Sequence, residues 1–73
     1  MTDLQIEELL YTETVFTTEN YLIDSWFDRE SGEKHIDVVN RHTHEETGFV
    51  VNGISVDEVR NRLTNLIAHK TYQ

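Results

Sequence analysis

Apolar residues recur with a helical period in the last third of the chain. The positions that share one face at this spacing are Val56, Val59, Leu63, Leu66 and Ile67. Ser55 precedes them as an N-cap residue type, and Glu58 follows three residues later, which is the pattern of a capping box. These signals predict a helix over residues 55–69.

Upstream of this helix the period changes to two. Residues 21–28 and 34–42 alternate apolar with polar side chains, which is typical of strands that bury one face. Between them lies the turn sequence 30–33, in which Gly32 can take the positive φ that a hairpin turn needs. The two segments therefore predict a β-hairpin.

Further elements flank this hairpin. A turn at 43–48 leads to a strand at 49–51, and residues 11–17 have the β propensity of an additional strand. Thr2 with Gln5 predicts the start of a short N-terminal helix. We therefore expect one α+β domain over residues 1–73: an antiparallel β-meander of three to four strands, with the C-terminal helix packed on one face.

The alternation also assigns side chains to the two faces of the sheet. Tyr21, Ile23, Phe27, Ile36 and Val38 are expected to face the helix; Leu22, Asp24, Trp26, Asp28, His35, Asp37, Val39 and Arg41 are expected on the opposite face. The only Trp of a small domain more often belongs to its core, and the sequence favours that place for Trp26. If Trp26 faces outward, a second copy is the simplest cover, so we expect a homodimer.

Charge is distributed unevenly along the chain. The first 28 residues contain seven carboxylates and no Lys or Arg, and the net charge is −8. Such a field attracts basic surfaces and repels nucleic acid. The residues expected to form a partner-binding surface are Glu13, Glu19, Asp24, Trp26, Asp28, Glu30, Glu33 and Asp37. The alternative is a solvated acidic face that only keeps a small protein soluble.

The sequence contains no recognisable motif for catalysis or cofactor binding. There is no Cys, the three glycines read as isolated turn residues, and the histidine pairs around residues 35–37 and 42–44 match no zinc signature. We therefore expect no enzyme activity, no cofactor and no metal site. No apolar run is long enough for a membrane span, and the acidic N-terminus is unlike that of a signal peptide. We therefore expect a complete, soluble protein of the cytoplasm.

In size, acidity and absence of Cys, the whole chain resembles the small host-takeover proteins of bacteriophages that act as DNA mimics. The resemblance implies a non-catalytic inhibitor that occupies the nucleic-acid-binding surface of a basic host protein, for example an HU-type nucleoid protein, in the host cytoplasm. The residues leave an alternative open. It is a small dimeric interaction or antitoxin-like module that recognises its partner through an aromatic patch of Trp26, Leu22 and Val39.

Overall fold

The computed structural model describes the backbone of residues 1–71 and the side chains of residues 1–67. Its elements, in chain order, are α1 (Asp3–Tyr11), β1 (Val15–Thr17), β2 (Tyr21–Asp28), β3 (Glu33–Asn40), β4 (Glu46–Val50) and α2 (Val56–Thr71). The strands form one antiparallel sheet in the order β1-β2-β3-β4. The predicted α+β meander is confirmed, with four strands and both helices.

Both helices begin where the capping signals indicate. At α1, Thr2 Oγ1 accepts a hydrogen bond from the Gln5 amide at 3.2 Å, and Gln5 Oε1 accepts one from the Thr2 amide at 2.9 Å. At α2, Ser55 Oγ accepts from the Glu58 amide at 3.2 Å. The Glu58 carboxylate contacts Arg62 Nε at 3.3 Å instead of returning to Ser55, so this second box is only half formed.

The core lies between the helices and one face of the sheet. Its buried residues are Ile6, Leu9, Tyr21, Ile23, Ile36, Val38, Val51, Val59 and Leu63. The inward prediction is confirmed by the register for Tyr21, Ile23, Phe27, Ile36 and Val38, although Phe27 is not buried and remains 41% exposed. Phe27 pairs with Lys34 near the end of the sheet, where Leu10 and Tyr11 at the end of α1 cover it only in part.

Two polar side chains on the buried face fix the end of α1 to the sheet. Ser25 Oγ donates to the Thr12 carbonyl at 2.8 Å and accepts from the Thr14 amide at 3.1 Å. The buried Lys34 ammonium group donates to the same Thr12 carbonyl. Burial lowers the pKa of Lys34, and Glu13 acts in the opposite direction. One of the few cations of the chain therefore has an internal structural role.

The turn between β3 and β4 lies earlier than predicted. Gly32 has the expected positive φ, 77°, in the first hairpin turn. Gly48, however, is not a turn residue: it lies within β4, opposite Asp37. Asn40 closes the turn upstream, because its Oδ1 accepts from the amides of His42 and Thr43 at 2.9 and 3.1 Å. His44 then adopts the left-handed conformation, with a φ of 65°.

Two leucines on α1 give a matched test of this packing. Leu9 is fully buried and Leu4 is 65% exposed. We expect Leu9→Ala to lower the free energy of unfolding by about 2–5 kcal/mol through lost burial and the cavity left behind. Leu4→Ala should change it by no more than about 0.5 kcal/mol. Urea unfolding measures both; equal effects would contradict the docking of α1 on the sheet.

Candidate functional site

One face of the sheet is not covered by either helix. The strand residues whose side chains point to this side are Val15, Thr17, Leu22, Asp24, Trp26, Asp28, Glu33, His35, Asp37, Val39, Glu46, Gly48 and Val50. We call this set the open face. It contains five carboxylates and no Lys or Arg. The outward orientation predicted from the alternation of β2 and β3 is therefore correct, with the exception of Arg41, which lies past the end of β3.

A row of three residues crosses the centre of the open face. Asp24 on β2 pairs with Asp37 on β3, and Asp37 pairs with Gly48 on β4. The Asp37 carboxylate lies over Gly48, where a Cβ atom would overlap its Oδ1. A glycine inside a strand weakens the strand, so its place here is explained by this close approach. Gly48 lets the Asp37 carboxylate extend toward β4.

Trp26 belongs to the open face and not to the core, which corrects the placement that the sequence favoured. Its side chain is 39% exposed, and its Nε1 donates to Asp37 Oδ2 at 2.6 Å. The indole also stacks on His35, with ring centroids 4.3 Å apart and planes at 8°. Aliphatic side chains fill the core without it. The carboxylate and the imidazole together fix the orientation of the Trp26 ring on the open face.

Two aspartates of the open face experience opposite electrostatic environments. Burial raises the pKa of Asp24, and the charges of Asp37 and Glu46 raise it further, against the effect of its own backbone N–H. Its Oδ1 atom is buried without a hydrogen-bond partner among the described residues. Asp28 has a lowered pKa because the amides of Glu30 and Ser31 donate to it, at 2.9 and 3.4 Å. Asp28 stabilises the turn, whereas the charge on Asp24 is unfavourable.

The cations whose side chains are described make contacts elsewhere. Lys34 is buried beneath α1, and Arg41 donates to the Thr18 carbonyl at 2.6 Å. Arg29 pairs with Glu13 at 3.5 Å, Arg60 with Asp3 and Asp57, and Arg62 with Glu58. Within the open face, Glu33 Oε1 lies 3.4 Å from His35 Nε2. None of these Lys and Arg residues is an open-face residue. The carboxylates of the open face are therefore not neutralised by any described Lys or Arg.

The structure brings five of the eight predicted binding residues onto the open face. Asp24, Trp26 and Asp37 lie at its centre, and Asp28 and Glu33 pair at its hairpin end. The other three lie outside it: Glu30 in the hairpin turn, Glu13 beside Arg29 before β1, and Glu19 in the turn at the opposite end.

Two open-face residues were not among the predicted binding residues. Glu46 faces outward because β4 begins earlier than predicted, and it pairs with Val39. His35 was predicted to face outward but was considered as a binding group only in a metal site, whereas it is the stacking partner of Trp26. The register of the first hairpin, which places residues 26 and 35 opposite each other, is the signal that could have identified this pair.

Other kinds of site have little support in the described part of the chain. Among residues 1–67, no three His, Asp or Glu side chains are grouped so that they could hold a metal ion. Neither helix, over its described length, is long and apolar enough to cross a membrane. No protein-family model matches the chain, and no curated protein or solved structure is significantly similar to it.

The unfavourable charge on Asp24 gives a testable dependence of stability on pH. We expect Asp24→Asn to raise the free energy of unfolding at pH 7 by on the order of 0.2–1 kcal/mol, because it removes a like-charged cross-strand pair. A raised folded-state pKa means that ionised Asp24 destabilises the fold fully above that pKa. This destabilisation decreases as the pH falls and is absent below the ordinary Asp pKa of 3.8. The free energies of unfolding of variant and wild type should therefore converge below that pH.

Asp28→Asn is the matched control for that measurement, because it removes the same charge. The lowered pKa of Asp28 means that its charge stabilises the fold above pH 3.8, and that this contribution is lost as the pH falls through the lowered value. Asp28→Asn should therefore not raise the stability at pH 7. Equal stabilisation by both variants in urea unfolding would show that only net charge matters, and would contradict the environment assigned to Asp24.

Proposed function

We propose that this chain is a non-catalytic binding protein that docks its open face on the nucleic-acid-binding surface of a basic protein, and so acts as a DNA mimic that inhibits it. The observation that carries this proposal is the separation of charge: five carboxylates share the open face, while the described Lys and Arg side chains are engaged elsewhere. A face of one sign attracts a partner of the other sign and speeds association.

The charge density of the open face is on the scale of one side of a DNA duplex. From the row of Leu22 and Glu46 to the row of Asp28 and Glu33 is six residue steps, about 20 Å at the rise of a β-strand. A duplex of about 20 Å carries roughly 12 phosphates, of which about half face one side. The five carboxylates of the open face are comparable to that number, so competition for a phosphate-binding surface is electrostatically reasonable.

Trp26 adds an aromatic contact surface to the charged open face. The exposed part of its ring lies among carboxylates, and Asp37 and His35 fix its orientation. Surfaces that bind phosphates are rich in Arg, and a guanidinium group stacks favourably on the face of an indole. A buried aromatic anchor surrounded by polar groups is the usual arrangement of an interface hot spot. The open face therefore offers both charge and an anchor to an Arg-rich surface.

A competition assay tests the proposal. Fluorescently labelled duplex DNA is bound to an HU-type nucleoid protein, and the chain is added while anisotropy reports displacement. We expect displacement that weakens as salt increases. The double variant Glu33→Gln/Glu46→Gln should compete about 2- to 30-fold less well, which corresponds to two exposed ion pairs of about 0.2–1 kcal/mol each.

The control for this assay is Glu7→Gln/Glu8→Gln on α1. It makes the same change in net charge, but both residues are exposed on a helix that covers the opposite side of the sheet. This control should compete about as well as the wild type. Equal losses from both double variants would indicate non-specific attraction by net charge. No displacement at low salt, from this and other basic DNA-binding proteins, would contradict the proposed function.

A second candidate occupant of the open face is another copy of the chain, as the sequence predicted. Leu22 and Val39 are half-buried cross-strand neighbours, and together with Trp26 they form an apolar patch that a second copy could cover. Such a dimer would bring acidic faces together, so added salt should strengthen it, whereas salt should weaken docking on a basic protein. Sedimentation of the chain alone at two salt concentrations separates these occupants: a dimer that strengthens with salt supports self-association.

A further inference from the structure

We infer that the exposed edge of β4 is the place where an extended, basic segment of the partner adds to the sheet as a fifth strand. This inference rests on the proposed function and makes it more specific, because it assigns a backbone pairing and an alternating side-chain pattern to the partner. The edge has three properties that together define such an occupant: outward backbone groups, an acidic side, and a partly apolar groove on the other side.

The backbone groups of β4 alternate between the two sides of the strand. Asn40 N–H bonds to the Glu45 carbonyl at 2.8 Å and Val51 N–H to the Lys34 carbonyl at 2.9 Å, so the odd-numbered residues pair with β3. The N–H and C=O groups of Glu46, Gly48 and Val50 therefore point away from β3. No described strand lies on that side of β4. Among the described residues nothing pairs with the N–H and C=O groups of these three alternate residues, so a neighbouring chain can bond to them.

On the open-face side, the edge of β4 is acidic. Glu46 belongs to β4 itself, and the Asp37 carboxylate extends over Gly48, which has no side chain to separate it from the edge. A residue of an added strand placed beside Gly48 would have its side chain close to Asp37. Cross-strand neighbours of opposite charge are favourable. The added strand is therefore expected to present Lys or Arg on this side.

On the opposite side, a groove runs between β4 and α2. It has a volume of about 680 Å³ and is lined by Thr47, Gly48, Phe49, Arg62, Asn65 and Leu66. The Arg62 guanidinium lies 5.5 Å from the centre of the Phe49 ring, so a cation already lines this groove and disfavours a second. Residues of the added strand that face this side are expected to be apolar. The alternation of basic and apolar residues follows from the two sides together.

Charge distinguishes this occupant from a second copy of the chain. Two antiparallel copies of β4 would join chains that each carry a net charge of −8, and the edge would gain no cation opposite Asp37. The other edge of the sheet, β1, is only three residues long and leaves the backbone groups of just Val15 and Thr17 outward. A basic extended segment at β4 is therefore the occupant that the charges and the backbone groups favour.

Amide hydrogen exchange tests the inference with a defined probe. The probe is a capped seven-residue peptide in which Lys alternates with Val and Leu. In the free chain, the amides of Glu46, Gly48 and Val50 should exchange rapidly, and those of Thr47, Phe49 and Val51 slowly. Saturation with the peptide should slow exchange at the first three amides about tenfold or more. A peptide of the same composition with its lysines in one block should protect them less.

Two further variants separate backbone pairing from charge. A peptide N-methylated at alternate residues keeps its charge but cannot pair, and it should give no protection. Val50→Pro removes one outward N–H without breaking the β3–β4 ladder, whereas Val50→Ala removes the side chain only. Peptide binding should be about 2- to 10-fold weaker for the Pro variant than for the Ala variant, as expected for one lost hydrogen bond.

The results that would overturn the inference are distinct from failure of the proposed function. If both peptides bind equally and the β4 amides stay unprotected, the partner docks only on the open face and adds no strand. The chain would then still compete with DNA. Protection that appears without peptide and rises with protein concentration would identify a second copy at this edge, and would also overturn the inference. Successful competition with an unprotected edge refutes only the added strand.

Discussion

The rest of the structure depends on the one-sided coverage of the sheet. A chain of 73 residues supplies a single small core, and both helices contribute to it from the same side. The strands consequently alternate between aliphatic residues that meet the helices and polar residues that do not. The described Lys and Arg side chains stabilise the helices and turns instead. Lys34 donates to the backbone at the end of α1, and Arg60 pairs with Asp3. What remains on the uncovered side is an anionic surface.

The arrangement of that surface is not the one that stability alone would favour. Asp24 lies directly opposite Asp37, its pKa is raised by burial, and one of its oxygens is buried without a described partner. Like charges opposite each other on neighbouring strands destabilise a sheet. A solvated acidic surface could keep a protein soluble without placing two carboxylates in this way. Charged groups that destabilise the free protein are typical of binding sites, because contacts with a partner can compensate for their cost.

Periodicity in the sequence predicted much of the fold. The bounds of β2, the start of α1 and the faces of β2 and β3 could be predicted because they depend on local patterns: a period of two, capping residues and a turn glycine. The bounds of β4 could not, because the side chain of Asn40 closes the preceding turn. Gly48 was assigned to that turn from its residue type, whereas its position follows from contact with Asp37 on another strand.

The centre of the candidate site was predicted only in part. The alternation placed Asp24 and Asp37 outward, but the same rule conflicted with the general preference of a lone Trp for the core. The outcome for Trp26 depends on tertiary contacts that no local pattern contains, namely its bond to Asp37 and its stacking on His35. Glu46 was missed for the same reason, since its orientation follows from the register between β3 and β4.

The most direct measurement is an NMR titration of the isotope-labelled chain with an unlabelled HU-type nucleoid protein. The only indole N–H of the chain, that of Trp26, reports on the centre of the open face. We expect its signal and the amide signals of β2, β3 and β4 to shift at low salt and to return as salt increases, with α1 largely unaffected. Shifts confined to the helices, with the Trp26 signal unchanged, would contradict the central claim that the open face is the binding surface.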